Sequence, residues 1–292
     1  LVAGNFLAIV SDTIIKWQAG DVALCQFVLA RALFTLALLL PFYRLFDLGQ
    51  FWRGSRIHLL RAHVGLAGKL CMVVALTSLP LATANAIFYA APVLVMLMGA
   101  VFFGERLNRL TVIAALSGFF GILLILRPQA LSWGSLAALG LAVALAVNAV
   151  LVRKLPHQQS TAHSLFLTQI YLLPGAVLAS LIEGASFDPS MLTAAFGSAF
   201  FILGYNVTVI LAYRHIEAGR VTSSEYTGLL WAVLLGWWMF GEIPDLWFYL
   251  GAGMIVGPLI GIAWQGRRRM QKRLTNASLD PDAQWQADKP QR

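Results

Sequence analysis

The tripeptide Phe103-Gly104-Glu105 returns as Phe240-Gly241-Glu242, 137 residues further on, and each copy closes a long apolar run. Arg106 and Arg109 follow the first copy, whereas Asp245 follows the second in a loop without positive charge. The same offset superimposes more than the motif. It places Tyr89 on Tyr226, Lys69 on Asn206, Asn85 on Thr222, and Ser11, next to Asp12, on Asn148. One unit written twice, with its two copies facing opposite sides of a membrane, is the signature of an inverted repeat whose binding site lies at the midplane between the halves.

Composition supports a membrane setting. Apolar residues make up 59% of the chain and charged residues 12%, with a mean hydropathy of +0.75; a soluble domain carries about 25% charged residues. Ten apolar runs of spanning length follow one another: 1–17, 22–43, 62–79, 81–103, 110–126, 132–152, 163–182, 190–213, 220–240 and 246–265. They are too long and continuous for barrel strands, so transmembrane helices are expected. The fold class is therefore an all-α polytopic membrane protein of ten helices in two five-helix repeats, 1–127 and 128–265, followed by a polar tail at 266–292. Because five is odd, the second repeat enters the membrane from the other side.

The net charge of +8 has its own explanation. With the N-terminus in the cytoplasm, the inner loops collect Arg44, Arg53, Arg56, Arg61, Arg106, Arg109, Arg153, Lys154, Arg214 and Arg220, and the tail adds Arg267, Arg268, Arg269, Lys272 and Arg273. The opposite loops hold Arg127, with Lys16 at a helix end and the acidic Glu183 and Asp188. This is the positive-inside pattern, with both termini cytoplasmic, rather than a nucleic-acid footprint. Cys25 and Cys71 lie in apolar runs without metal or redox spacing, and no cofactor or metal is expected.

An ionisable group at the centre of a span costs about 2.5–3.5 kcal/mol on insertion scales, so each is a functional candidate. Asp12 and Lys16, four residues apart, are placed to form an ion pair or gate; Asp12 is alternatively a protonation site or an anchor for a substrate ammonium. Arg31 is either a packing partner or a carboxylate ligand. Lys69 is the stronger carboxylate candidate, because its repeat mate Asn206 puts a polar group at the matching depth. Glu225 suits proton exchange or pairing with Arg31 or Arg220. Tyr89 with Asn85, and Tyr226 with Thr222, place a phenol and a smaller polar group on one helix face in each repeat. Their alternative is interhelical hydrogen bonding. Trp231, five residues past Tyr226, lies deep in its run, and Asn148, Gln169, Tyr205 and Asn5 are further cavity-lining candidates. Trp17, Trp52, Trp133 and Trp247 lie near run ends, as interfacial belts do. His63 and His163 are expected at the interface. Glu105 and Glu242 are assigned to helix stops and hairpin geometry.

Two five-helix repeats, each with a fourth helix ending in Phe-Gly-Glu, resemble the drug/metabolite transporter superfamily, EamA type. Leu79-Pro80-Leu81-Ala82-Thr83-Ala84-Asn85-Ala86 through Glu105, and Ile216 to Glu242, carry the resemblance, which covers residues 1 to about 265. Within that superfamily the chain is most similar to the YddG kind of bacterial amino-acid exporter, although Leu229 stands where the first repeat has Pro92. The resemblance implies export of amino acids, hydrophobic or aromatic ones above all, across the bacterial inner membrane. The expected partners are a small-molecule substrate and the bilayer, without nucleic acid, and a monomer is compatible with this. A multidrug or general metabolite exporter and a passive channel remain open. A membrane-embedded enzyme is disfavoured, because no His-Glu-x-x-His or Gly-x-Ser-x-Gly is present.

Overall fold

The computed structural model describes residues 2–18, 23–46, 49, 52–104, 109–125, 132–152, 154–155, 159–215, 227–258 and 260–261. Among the described residues every regular element is a helix. They are α1 (Val2–Trp17), α2 (Leu24–Leu39, continued by a 3₁₀ turn Leu40–Leu45), α3 (Ser55–Ser78), α4 (Leu81–Phe88), α5 (Ala91–Phe103), α6 (Arg109–Ile125), α7 (Trp133–Val152), α8 (Thr161–Glu183), α9 (Met191–His215), α10 (Thr227–Phe240) and α11 (Leu246–Pro258).

Six segments are long and apolar enough to cross a membrane: Leu24–Leu45, Ser55–Ser78, Leu81–Phe102, Trp133–Val152, Thr161–Glu183 and Met191–Thr208. Shorter apolar helices supply the rest, so the described residues stop short of ten full-length spans. Several of the expected runs extend past what is described, at 126, 220–226 and 262–265. Large apolar side chains face outwards all round the bundle, among them Leu181, Ile182, Leu230 and Phe119, as expected where the surrounding solvent is lipid. Trp17, Trp52, Trp133 and Trp247 are exposed near helix ends, in keeping with an interfacial belt.

The fourth span is broken rather than continuous. Pro92 stands near the start of α5, where its ring excludes a helical carbonyl four residues back and its nitrogen donates no hydrogen bond. The chain therefore leaves α4 at Phe88 and turns through Tyr89 and Ala90. Gly104 and Gly241, with φ of 64° and 66°, end α5 and α10 in the left-handed conformation that only glycine adopts without cost.

Several helix pairs match under exchange of residues 1–127 with those after 128. α1 packs on α9 as α3 packs on α7, and α2 packs on α9 as α3 packs on α8; α1 meets α10 as α7 meets α4 and α5. α2 with α8, and α4 with α10, pair with their own counterparts. The Ser117 hydroxyl donates to the Met254 carbonyl at 2.8 Å, and these two residues are themselves 137 apart.

One charged contact ties the halves at the face opposite the basic loops. Lys16 Nζ lies 2.9 Å from Glu242 Oε1, with both side chains largely buried. Lys16 also donates to the Leu76 and Leu79 carbonyls at 3.3 and 2.5 Å, at the end of α3. Glu242 Oε2 accepts the Leu81 N–H at 2.6 Å, the first of α4. A cation thus meets the carbonyl end of one helix and a carboxylate the N–H end of the next, each matching the local dipole. This corrects one expectation and extends another. Lys16 does not pair with Asp12, because its long stem carries the ammonium to the helix end, where unpaired carbonyls wait. Glu242 keeps its part in the helix stop, its N–H donating to the Gly236 carbonyl at 3.0 Å, but its carboxylate reaches beyond its own hairpin to cap α4. Glu105 lies outside the described residues. Lys16→Met and Glu242→Leu are each expected to destabilise the detergent-solubilised protein by about 3 kcal/mol, since each strands the other's charge. The double variant is expected to lose clearly less than the sum, a non-additivity that thermal unfolding of the four proteins measures.

Candidate functional site

Five helices bring ionisable or amide side chains into one buried seam. Asp12 on α1, Arg31 on α2 and Asn85 on α4 are all less than 9% exposed. Asp12 accepts a hydrogen bond from the Asn85 side chain and lies within electrostatic reach of Arg31. Arg31 Nη2 approaches Ser11 Oγ at 3.5 Å, and Ser11 in turn shares a 2.8 Å hydrogen bond with Ser198 Oγ on α9. Arg31 also lies within electrostatic reach of Lys69 on α3. Lys69 Nζ donates to Gln169 Oε1 on α8 at 2.8 Å.

Helical spacing explains why these groups converge. Ser11 and Asp12 are adjacent on α1 and point to neighbouring sectors, one towards α9 and one towards α4. Arg31 is seven residues into α2, and Lys69 fourteen into α3, so both lie well inside the bundle. Two basic groups thus stand in the seam with one carboxylate among the described residues. Buried charge of one sign in excess is unfavourable unless something offsets it. An arriving carboxylate would do so, held by charge-assisted hydrogen bonds.

An aromatic patch adjoins the seam. Trp231 on α10 meets Phe6 edge to face, with centroids 5.1 Å apart, and its buried indole N–H has no hydrogen-bond partner among the described residues. Tyr89, at the break in the fourth span, points its hydroxyl at the backbone of α10: a Cβ on Gly228 would collide with it. Asn5 Nδ2 donates to Thr227 Oγ1 at 3.0 Å and stitches α1 to the start of α10. Phenol, indole and phenyl together make an apolar wall with polar edges.

Other candidates are placed elsewhere. Asn148 turns back on its own helix, donating to the Ala144 carbonyl at 3.0 Å. Asn206 lines an apolar cleft between α2, α8 and α9, whose lining does not include Lys69. Tyr205 offers its carbonyl to Thr208 Oγ1 at 2.8 Å. Glu225 and Tyr226 lie outside the described residues. His163 is wholly buried in the first turn of α8 at the basic end, edge-on to Phe46 and near His58, which bonds Gln159 Oε1 at 2.9 Å. Sequence reasoning missed Ser198, Thr227 and the His58–Gln159 pair; a small polar residue in an apolar run gives no sign of which neighbour it meets. Among the described residues no group of three or more His, Cys, Asp or Glu could hold a metal ion.

The sequence profile of the EamA-like transporter family matches residues 1–127 and again 129–264. The chain belongs to the EamA-like transporter family. It is 26% identical over 272 residues to the pseudopaline exporter CntI of Pseudomonas aeruginosa, covering 90% of this chain and 94% of that one. It is 24% identical to the S-adenosylmethionine uptake transporter of Rickettsia conorii, covering 90% of each chain, and 24% identical to a riboflavin transporter of Vibrio cholerae, covering 86% and 85%. A solved crystal structure superposes with a TM-score of 0.58 over 91% of this chain and 97% of that one, at 21% identity, which shows a shared fold. The family's relatives move small metabolites in both directions, so membership makes this a multi-pass membrane transporter without fixing its cargo. The Tyr89 placement is testable by itself. Gly228→Ala is expected to lower the melting temperature by displacing the phenol, and adding Tyr89→Phe to recover part of that loss.

Proposed function

We propose that the chain is a secondary transporter that exports amino acids, hydrophobic or aromatic ones above all, across the bacterial inner membrane. The observation that carries this is the surplus, among the described residues, of one basic group in a buried seam that also holds a carboxylate. A zwitterion matches that inventory: its carboxylate goes to Lys69 and Arg31, its ammonium to Asp12, and its side chain to the wall of Tyr89, Trp231 and Phe6. Asn85 and Gln169 hold Asp12 and Lys69 in position, so the charged groups are oriented before substrate arrives.

Alternating access follows from the repeat. Residues 1–127 and 128–265 are taken as two inverted copies rocking about the axis at Ser117 and Met254, with both termini cytoplasmic. The matching pairs α1 with α9 and α3 with α7, and α2 with α9 and α3 with α8, support that reading, and the break at Tyr89–Ala90 supplies a joint beside the seam. The Lys16–Glu242 contact is then the gate on the periplasmic side, closed in this structure. Asp12 is the candidate for coupling as well as for ammonium binding. No nucleotide-binding motif is present in the sequence, and the gradient that drives transport is left to experiment.

Relatives named for pseudopaline, S-adenosylmethionine and riboflavin keep a general metabolite exporter as the second reading. Counterflow in proteoliposomes separates the two. Loaded phenylalanine, methionine, leucine or tryptophan is expected to drive saturable uptake of its labelled form, absent from empty liposomes. No exchange of any amino acid, with exchange of other metabolites, would establish the second reading. Lys69→Ala is expected to weaken amino-acid exchange roughly tenfold or more, the worth of one charge-assisted contact. Asp12→Asn is expected to weaken exchange of the free amino acid by a similar factor and to spare its N-acetyl derivative. Unchanged exchange in both variants would remove the seam from the substrate path.

A further inference from the structure

A second cavity lies outside the polar seam. It occupies about 470 Å³ between the end of α2 with its 3₁₀ turn, the first turns of α8, and the middle of α9. Leu38, Leu39, Phe42 and Leu45 form one side, Ala162 and Leu165 the second, and Phe200, Leu203 and Val207 the third. Phe42, Leu45, Phe200 and Val207 are exposed, so the cleft opens sideways onto the surface that faces lipid. Its polar atoms are confined to Ser160 and Thr161 at the mouth and Asn206 deeper in.

The mouth is a built feature. Pro41 ends α2, and the chain continues as a 3₁₀ turn to Leu45. Ser160 donates to the Leu45 carbonyl at 2.5 Å and accepts the His163 N–H at 3.2 Å, so one side chain caps α8 and pins the turn against it. Arg44, beside Leu45, is exposed and makes no ion pair among the described residues. Exposed Lys154, Arg53 and Arg56 lie on the same face of the bundle. The start of α8 at Thr161 adds the positive end of a helix dipole.

We propose that this cleft binds one anionic phospholipid, with an acyl chain along Leu38, Leu165 and Leu203 and the phosphate at Arg44 and the first turn of α8. Charge complementarity selects the headgroup. An apolar interior walled by exposed Phe42, Leu45, Phe200 and Val207, at the depth of the basic face, selects the tail. A zwitterionic lipid fills the cleft equally well but gains little from Arg44, and a free amino acid leaves the apolar interior unmatched.

The test titrates the delipidated full-length protein with phosphatidylglycerol and, separately, with phosphatidylcholine of the same chains, and counts bound lipids by native mass spectrometry. Phosphatidylglycerol is expected to bind more tightly, and Arg44→Gln to weaken it about fivefold while leaving phosphatidylcholine unchanged, the effect of one basic side chain near a lipid surface. Ala162→Phe, which fills the cleft, is expected to weaken both, and Leu181→Phe, far along α8, neither. Equal affinity for the two lipids, or no effect of Ala162→Phe, would overturn the proposal. So would one-for-one displacement of the lipid by a transported substrate, which would make the cleft part of the transport route. If Ala162→Phe does not fold, a phosphatidylglycerol with a photoreactive tail decides the matter on the unaltered protein. Labelling within 38–45 and 200–207 supports the site, and labelling confined to other segments overturns it.

Discussion

A charge inside lipid must have a partner, and each one described in this bundle reveals part of the mechanism through the partner it has. Lys16 finds two carbonyls and a carboxylate, and closes one face. Asp12 finds Arg31 and the Asn85 amide. Lys69, among the described residues, finds the neutral oxygen of Gln169. Among the described residues the first arrangement is complete, and the seam is not. Completeness suits a contact that holds the halves together; incompleteness suits a place where a charged group comes and goes. Both follow from the same desolvation argument applied to different depths.

The break in the fourth span belongs to the same logic. Pro92 prevents one long helix, and the two short ones that result each need their ends satisfied. Glu242 supplies that need at the start of α4 from the other half of the chain. At its far end the break places Tyr89 against α10, close to Trp231 and the polar seam. A rotation of one half against the other would therefore be felt at three places together: the Lys16–Glu242 contact, the first turn of α4 and the aromatic wall.

Much of this was legible in the sequence, and the remainder was hidden for identifiable reasons. The repeat of Phe-Gly-Glu and the apolar runs pointed to a two-part helical membrane protein, because span length and composition are set by the bilayer itself. Lys69 with Gln169 and Asp12 with Asn85 were each singled out as polar residues in apolar runs. Their pairing was invisible, since it depends on which helices are neighbours. Lys16 was assigned to Asp12 by helical spacing, a local rule that ignores the pull of a helix end from another segment. A signal for its true partner did exist: Lys16 and Arg153 are 137 apart, just as Glu105 and Glu242 are. A basic residue and an acidic residue, each recurring at the period of the repeat, are natural partners across it. Asn206 went astray for the opposite reason, because equivalent positions in two diverged copies need not keep equivalent surroundings.

The account rests on a buried basic surplus that receives a carboxylate. The most direct test compares exchange of phenylalanine with that of its amide, which keeps the ammonium and the ring but has no negative charge, in proteoliposomes of the unaltered protein. The account predicts saturable exchange of the acid, and exchange of the amide reduced at least about tenfold. Equal or faster exchange of the amide would show that the seam selects cations, and would contradict it.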